Sequence, residues 1–333
     1  MELKDVGEFG LIDLIKQDTI NDPGTVVTGI GDDAAVLLPT PRQLQLITTD
    51  MLVENVHFDL TTTTPMQLGY KAVAVNLSDI AAMGGAPRHA VVSIALPRHT
   101  AVDFVLNLYN GMKEICREYG VNIVGGDTVS SPGGLVINVA VMGEVEPAHL
   151  VKRSGAKPGD IVAVTNVLGN SSAGLALLSR GEWEEHDFSW PLVTSHLTPR
   201  PLVRTGQLLA AHGATSMDDV SDGLASELHE IAQASNVSIR VVKECIPLSP
   251  EIREAAAVLG QEPLDYALYG GEDFQLLFTM EPGQFALINS IDPGAVITKI
   301  GEVLPSGDGV TLLDEAGRSY KLEPRGYNHF CRN

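Results

Sequence analysis

Segments of strand and helix periodicity alternate along the whole chain, and this mixture restricts it to layered architectures of the α/β (α+β) class. Gln45–Thr49 alternates like a strand and runs into Thr48-Thr49-Asp50, leaving two hydroxyls and a carboxylate at a strand end. Between Pro65 and Met83 the residues Leu68, Ala72, Val75 and Ala82 recur at helical spacing, with Gly84-Gly85 as the stop. Asn76 and Asp79, three apart, share a neighbouring face. Phe104, Leu108, Met112 and Ile115 mark a second amphipathic helix over Asp103–Tyr119. Val121–Val124 then reads as a short buried strand entering a Gly125-Gly126-Asp127 turn, with another strand over Leu135–Met142.

Near residue 150 the character changes to the turn-rich stretch Arg153-Ser154-Gly155-Ala156-Lys157-Pro158-Gly159-Asp160, and the domain boundary is placed there, giving residues 1–148 and 149–333. A chain of 333 residues that is 44% hydrophobic is long enough for two cores. The second half predicts a strand at Ile161–Thr165, a helix at Ser171–Ser179 and a long polar loop carrying Glu182, Glu184, Glu185 and Asp187. Helices at Pro201–His212 and Asp222–Ala234, a strand near Ser238–Val242 and a strand at Phe274–Thr279 after Gly270-Gly271-Glu272-Asp273 follow.

The formal charge is −20, which disfavours a nucleic-acid backbone as partner, since phosphate binding needs clustered Lys and Arg. The longest apolar runs, Ala90–Leu96 and Leu135–Gly143, fall far short of the roughly 20 residues of a membrane helix, and MELKDVGEFG has no secretory-signal pattern. A soluble protein with no membrane partner is expected. Cys116, Cys245 and Cys331 are widely separated, which fits reduced thiols in a cytoplasmic setting and leaves no zinc motif.

Most of the acids read as solvated surface. Asp32, Asp33, Asp50, Asp79, Asp127, Asp219, Asp222, Glu272 and Asp273 differ, because they lie beside Gly, Ser or Thr at the ends of apolar segments. Each alone reads as an ordinary turn. If several converge, each like-charged pair at about 4 Å repels by roughly 4 kcal/mol at an effective dielectric near 20, so cations are required. Hard carboxylate and hydroxyl oxygens select magnesium over zinc or copper, and magnesium held this way keeps positions for phosphate oxygens. No G-x-x-x-x-G-K-[ST] loop and no complete G-x-G-x-x-G is present, so a nucleotide would be held otherwise. The metal cluster, the Gly125 and Gly126 amides, Arg153 and Ser221 at the start of a helix are the candidates.

Eight segments in order resemble the thiamine-monophosphate kinase family. They are Gly29-Ile-Gly-Asp-Asp-Ala, Thr48-Thr-Asp-Met-Leu-Val-x-x-x-His57-Phe58, Lys71-Ala-Val-Ala-Val-Asn-Leu-Ser-Asp79-Ile-Ala-Ala-Met-Gly84, Gly125-Gly-Asp-Thr, Arg153-Ser-Gly-Ala-Lys-Pro-Gly-Asp, Val220-Ser-Asp-Gly, Gly270-Gly-Glu-Asp and Gly326-Tyr-Asn-His-Phe330. The resemblance implies a two-domain aminoimidazole-ribonucleotide-synthetase-like fold and a homodimer whose N-terminal strands form a barrel across the two-fold. It implies ATP-dependent phosphorylation of thiamine monophosphate, assisted by several Mg2+ ions. Residue by residue it assigns metal roles to Asp33, Thr48, Thr49, Asp50, Asp79, Asp127, Asp219 and Asp222, with Asp32 adjacent. Gly125, Gly126, Arg153 and Ser221 would face ATP, and His57, Glu272 and Tyr327 would face thiamine monophosphate. Asp50, Asp79, Asp127 and Arg153 would carry the transfer. Where some relatives carry an aromatic two residues before Gly326, this chain has Pro324.

Bland readings stand beside these. Ser221-Asp222 is also a good helix N-cap ahead of Leu224, Leu228 and Ile231, His57 is also a packing or capping residue, and Glu272-Asp273 is also an exposed turn. The same acids would serve another ATP-using enzyme of that superfamily, or a non-catalytic cation- or nucleotide-binding module. Selenophosphate synthetase is disfavoured, since residues 1–30 contain no cysteine.

Overall fold

The computed structural model describes residues 2–181 and 183–327. It divides into two compact units, Met1–Ile80 with Ala86–Pro147, and Ala81–Gly85 with Ala148–Asn333.

The first unit opens with helix α1 (Leu3–Ile15), interrupted at Gly7, and a two-stranded antiparallel ribbon of β1 (Val26–Thr28) and β2 (Val36–Leu37). Its main body contains β3 (Leu44–Val53), α2 (Pro65–Ala82), β4 (Ala86–Pro97), α3 (Val102–Tyr119), β5 (Asn122–Ser131) and β6 (Val136–Val145). The sheet order is β3-β6-β4-β5, antiparallel except for the β4/β5 pair, which α3 connects as a crossover. Leu46, Leu52, Val92, Ile94, Ile137, Val139 and Val141 alternate onto one face and are buried. The other face leaves Ile47 75%, Met51 54% and Val129 50% exposed. α2 and α3 approach closely because each offers a glycine: a Cβ on Gly69 would stand 1.9 Å from Leu108 O, and one on Gly111 1.9 Å from Met66 O.

The second unit contains β7 (Ile161–Thr165), α4 (Asn170–Arg180), α5 (Ser189–Leu197), α6 (Val203–Ala211), β8 (Ala214–Asp219), α7 (Leu224–Ser235) and β9 (Ser238–Val242). It continues with α8 (Pro250–Leu259), α9 (Pro263–Tyr269), β10 (Leu276–Met280), α10 (Pro282–Ile288), β11 (Ile297–Leu304), β12 (Val310–Leu313) and β13 (Ser319–Lys321). The sheet order β13-β12-β9-β11-β7-β10-β8 is antiparallel except between β12 and β9. α7 lays Leu224, Leu228 and Ile231 on a core built with Val162, Val164, Ile239, Val241, Leu277 and Ile300. A second cluster of Ala173, Leu177, Leu192, Ile252, Ala255 and Leu259 joins α4, α5 and α8.

Several sequence readings are corrected. Thr48-Thr49-Asp50 lies inside β3, which runs on to Val53, and Gly125-Gly126-Asp127 lies inside β5. Cross-strand pairing extends both strands past the point where apolar alternation stops. The polar stretch after α4 holds α5, whose Leu192, Val193 and Leu197 are buried; Ser, Thr and Pro191 mask its periodicity. α7 begins at Leu224 with Gly223 as its N-cap, so Ser221 and Asp222 precede the helix. Among the described residues no helix is long and apolar enough to cross a membrane. Cys116 is buried and Cys245 exposed, both as free thiols, while Cys331 lies outside the described residues.

Candidate active site

In the first unit, strand alternation sends Thr48 and Asp50 to the inner face of β3, towards α2. There the Thr48 hydroxyl donates to Asp79 Oδ2 in a short hydrogen bond. Asp50 faces the same carboxylate: burial, and then the charge of Asp79, push its carboxyl from 3.8 up to about 7. Thr49 projects to the opposite face, where its hydroxyl donates to Val139 O at 3.1 Å and accepts from Asn138 Nδ2 at 2.9 Å. It does not join Thr48, Asp50 and Asp79.

Asp127 lies in the row of Ser93 and Asn138, next to the row of Asp50, Val139, Val92 and Gly126. The pleat therefore directs the Asp50 and Asp127 side chains to opposite faces. Asp127 is exposed and accepts from its neighbour Thr128 N at 2.9 Å. Gly126 has a clear reason to be glycine, since a Cβ there would stand 1.9 Å from Val92 O. Asp32 and Asp33 are exposed between β1 and β2, beside Gly31 at φ +129°, with Asp33 N donating to Asp32 Oδ1. His57 sits in the turn after β3, where its Nδ1 accepts from Val53 N at 3.0 Å, so the neutral ring carries its proton on Nε2.

In the second unit three loops meet. The β8/β10 pairing continues beyond the strands through Val220 N to Gln275 O, Phe274 N to Val220 O and Glu272 N to Ser221 O. Tyr327 N donates to Asp222 O, and a Cβ on Gly326 would stand 2.8 Å from the same oxygen. Ser221, Asp222, Glu272 and Tyr327 are thus brought into one neighbourhood, with Asp219 at the end of β8. His329 and Phe330 of the terminal motif lie outside the described residues.

Three acids here escaped the sequence reading. Asp218, buried, faces Arg153 at 2.8 Å, and Arg153 also reaches Glu230 at 2.6 Å. Burial outweighs the guanidinium and pushes the Asp218 carboxyl up to about 7. Glu227, buried on α7, accepts from Ser221 N at 3.2 Å and Asp222 N at 2.7 Å; burial raises it to about 8. Its signal was available: a Glu on the apolar stripe between Leu224 and Ile231 is out of place unless it has work to do. Asp218 doubles Asp219 as Asp32 doubles Asp33, a weaker hint.

Asp273 is a structural acid. It accepts from Gly169 N at 2.5 Å and Ser171 N at 3.1 Å at the start of α4, and burial raises it to about 7.

Among the described residues no group of three or more His, Cys, Asp and Glu side chains is arranged to hold a metal ion. Within the first unit Thr48, Asp50 and Asp79 come together, and within the second Asp219 and Asp222 lie at the end of β8 and in the loop that follows it. The chemistry of the first group fits a hard cation: Thr48, Asp50 and Asp79 present oxygen donors only, and burial, followed by the charge of Asp79, makes an ionised Asp50 costly there.

Two family models match in series, the AIR synthase related protein N-terminal domain over residues 31–145 and its C-terminal domain over residues 157–313. The fold and paired domains define an AIR synthase-related, two-domain α/β protein with mixed sheets. The thiamine-monophosphate kinase of Bacillus subtilis (strain 168) is 40% identical over 331 residues, covering 97% of this chain and 99% of that one. The thiamine-monophosphate kinase of Aquifex aeolicus (strain VF5) is 39% identical over 330 residues, 99% of this chain and all of that one. A solved structure of AaThiL complexed with AMPPCP and TMP superposes with a TM-score of 0.79 at 37% identity, covering 99% of both chains. The chain belongs to the thiamine-monophosphate kinase family.

Proposed function

We propose that this protein transfers the γ-phosphoryl group of ATP to thiamine monophosphate, giving thiamine diphosphate and ADP. The observation that carries this reading is similarity along nearly the whole chain to thiamine-monophosphate kinases, including AaThiL complexed with AMPPCP and TMP.

The acceptor is a phosphate with a second pKa near 6, already largely an anion at neutral pH, so no strong general base is required. The residues must instead hold two polyanions together. Asp33, Thr48, Thr49, Asp50, Asp79, Asp127, Asp219 and Asp222, with Asp32 adjacent, are the proposed holders of several Mg2+ ions; the Thr49 hydroxyl is engaged with Val139 O and Asn138 Nδ2. When bound, magnesium would neutralise and align the phosphate oxygens. Thr48 keeps Asp79 in one rotamer by its hydrogen bond. Arg153, held by Asp218 and Glu230, would bring positive charge to the nucleotide. Gly125 and Gly126 would let the backbone approach ATP, and Ser221, whose amide is tied to Glu227, would add a hydroxyl. His57 would present its Nε2 proton to the substrate, with Glu272 and Tyr327 facing the same molecule.

By this reading residues 1–148 form a metal, ATP and dimerisation domain and residues 149–333 a second α/β domain. The exposed sheet face with Ile47, Met51 and Val129 supports a homodimer joined through its N-terminal strands into a barrel. A cytoplasmic location accords with the free thiols.

The test is product analysis. Purified protein with ATP, Mg2+ and thiamine monophosphate should yield thiamine diphosphate and ADP in equal amounts. ADP without thiamine diphosphate, or no turnover by folded protein, overturns the substrate assignment.

A further inference from the structure

Glu272 stands on an unfavourable backbone. Its φ is +65° and that of Phe274 is +50°, the left-handed region that residues with side chains seldom adopt. Such strain persists where surroundings over-determine it, and here they do so on both sides. Asp273 is pinned by Gly169 N and Ser171 N, Glu272 N donates to Ser221 O, and a Cβ on Gly271 would stand 2.4 Å from that same oxygen. The loop sets the direction of the Glu272 side chain before any ligand arrives.

The end of that side chain is met by a buried histidine. His196, on α5 and 4% exposed, places Nδ1 3.3 Å from Glu272 Oε2 and 3.1 Å from Ser171 Oγ. A ring nitrogen attracts a carboxylate oxygen at that distance only when it carries its proton. The Ser171 hydroxyl, able to donate or accept, adapts to the Nδ1–H form. Ser171 belongs to the same α4 start that Asp273 caps, so one short stretch anchors both the backbone of the loop and the histidine behind its acid.

We propose that His196, backed by Ser171, is a positioning residue for substrate recognition: its Nδ1–H fixes the Glu272 carboxylate so that it meets the cationic heteroaromatic part of the acceptor in one orientation. The inference rests on the assignment of Glu272 to thiamine monophosphate. Holding the carboxylate in place beforehand removes rotamer entropy that binding would otherwise lose. The effect falls on the acceptor and leaves ATP untouched.

The experiment is a double-mutant cycle on the full chain with His196→Leu, His196→Asn and Glu272→Gln, read as separate KM values for thiamine monophosphate and ATP and as an unfolding midpoint. His196→Leu should raise KM for thiamine monophosphate about tenfold with KM for ATP unchanged, and His196→Asn, whose amide N–H can replace Nδ1–H, should recover most of it. In the Glu272→Gln background His196→Leu should add less than about twofold. Additive effects, an equal rise in both KM values, or a folded His196→Asn variant no better than His196→Leu overturns the proposal. If His196→Leu does not fold, imidazole 15N spectra of wild type and Glu272→Gln decide: an Nδ1–H signal that moves in the variant supports it, and an Nε2–H tautomer overturns it. The same spectra decide it should wild type form no thiamine diphosphate, an outcome that refutes the substrate reading alone.

Discussion

Replacing Asp50 by asparagine should stabilise the metal-free protein while abolishing most of its activity. The carboxyl, ordinarily at 3.8, is raised to about 7 by burial and by Asp79. A raised acid means that the folded state binds more protons than the unfolded chain between those two values, so stability falls as pH rises through that window and levels off above it. At pH 8 the folded protein holds Asp50 ionised at a cost of about 4 kcal/mol, taking 1.36 kcal/mol per pH unit. At pH 5 the group is protonated in the fold, and the cost shrinks to about 1.6 kcal/mol, the free energy of protonating it. Asparagine mimics the neutral acid at every pH. Urea denaturation should therefore show Asp50→Asn gaining about 2–3 kcal/mol more over wild type at pH 8 than at pH 5. Magnesium at pH 8 should narrow the difference by stabilising wild type more, and thiamine diphosphate formation by the variant should fall at least about a hundredfold. A stability difference independent of pH, or a variant destabilised at pH 8, would refute the reasoning that two acids are held together against their own repulsion.

Two other perturbations separate electrostatics from packing. Glu227→Gln keeps an acceptor for Ser221 N and Asp222 N and resembles the protonated acid, so urea titration at pH 6 should shift by under about 1 kcal/mol; Glu227→Ala orphans two amides and should cost about 2–4 kcal/mol. Gly69→Ala drives a methyl to 1.9 Å from Leu108 O, so α2 and α3 must separate, and a thermal melt should drop by several degrees with no change in the pH dependence.

What could be read from the sequence follows from how far each signal travels along the chain. α2 and α3 were legible because burial repeats every turn and Gly84 and Gly120 stop them at positive φ. β7 and β9 were legible as short apolar runs between turns. β8 was not, because Ala214–Asp219 mixes Thr, Ser and two Asp whose burial is decided by β10 alongside it. The extension of β3 through Asp50 likewise comes from pairing with β6, which holds the strand although burial and the charge of Asp79 make a carboxylate costly there. Motif order singled out Asp79, Arg153, Ser221 and Glu272 as candidates, yet gave no hint that Arg153 is gripped by Asp218 and Glu230. Partners such as Glu227 and His196 lie on helices whose own pattern records only that a polar residue occupies an apolar stripe.

The two units handle surplus negative charge by different physical means, and the contrast bears on how the enzyme works. In the first, Thr48 supplies a hydroxyl to Asp79 while Asp50 is left to take up a proton near neutrality, a carboxylate that would gain if a divalent cation replaced that proton. In the second, Asp218 faces a guanidinium and Glu227 faces two main-chain amides, fixed compensation that persists without a metal. Partners for the acids of the second unit are therefore built in by folding, although burial still raises Asp218 to about 7 and Glu227 to about 8, whereas Asp50 faces a second acid. If the proposed Mg2+ binds beside Asp50, it would lower the cost of ionising that acid, and the ionised carboxylate would in turn strengthen the hold on the ion.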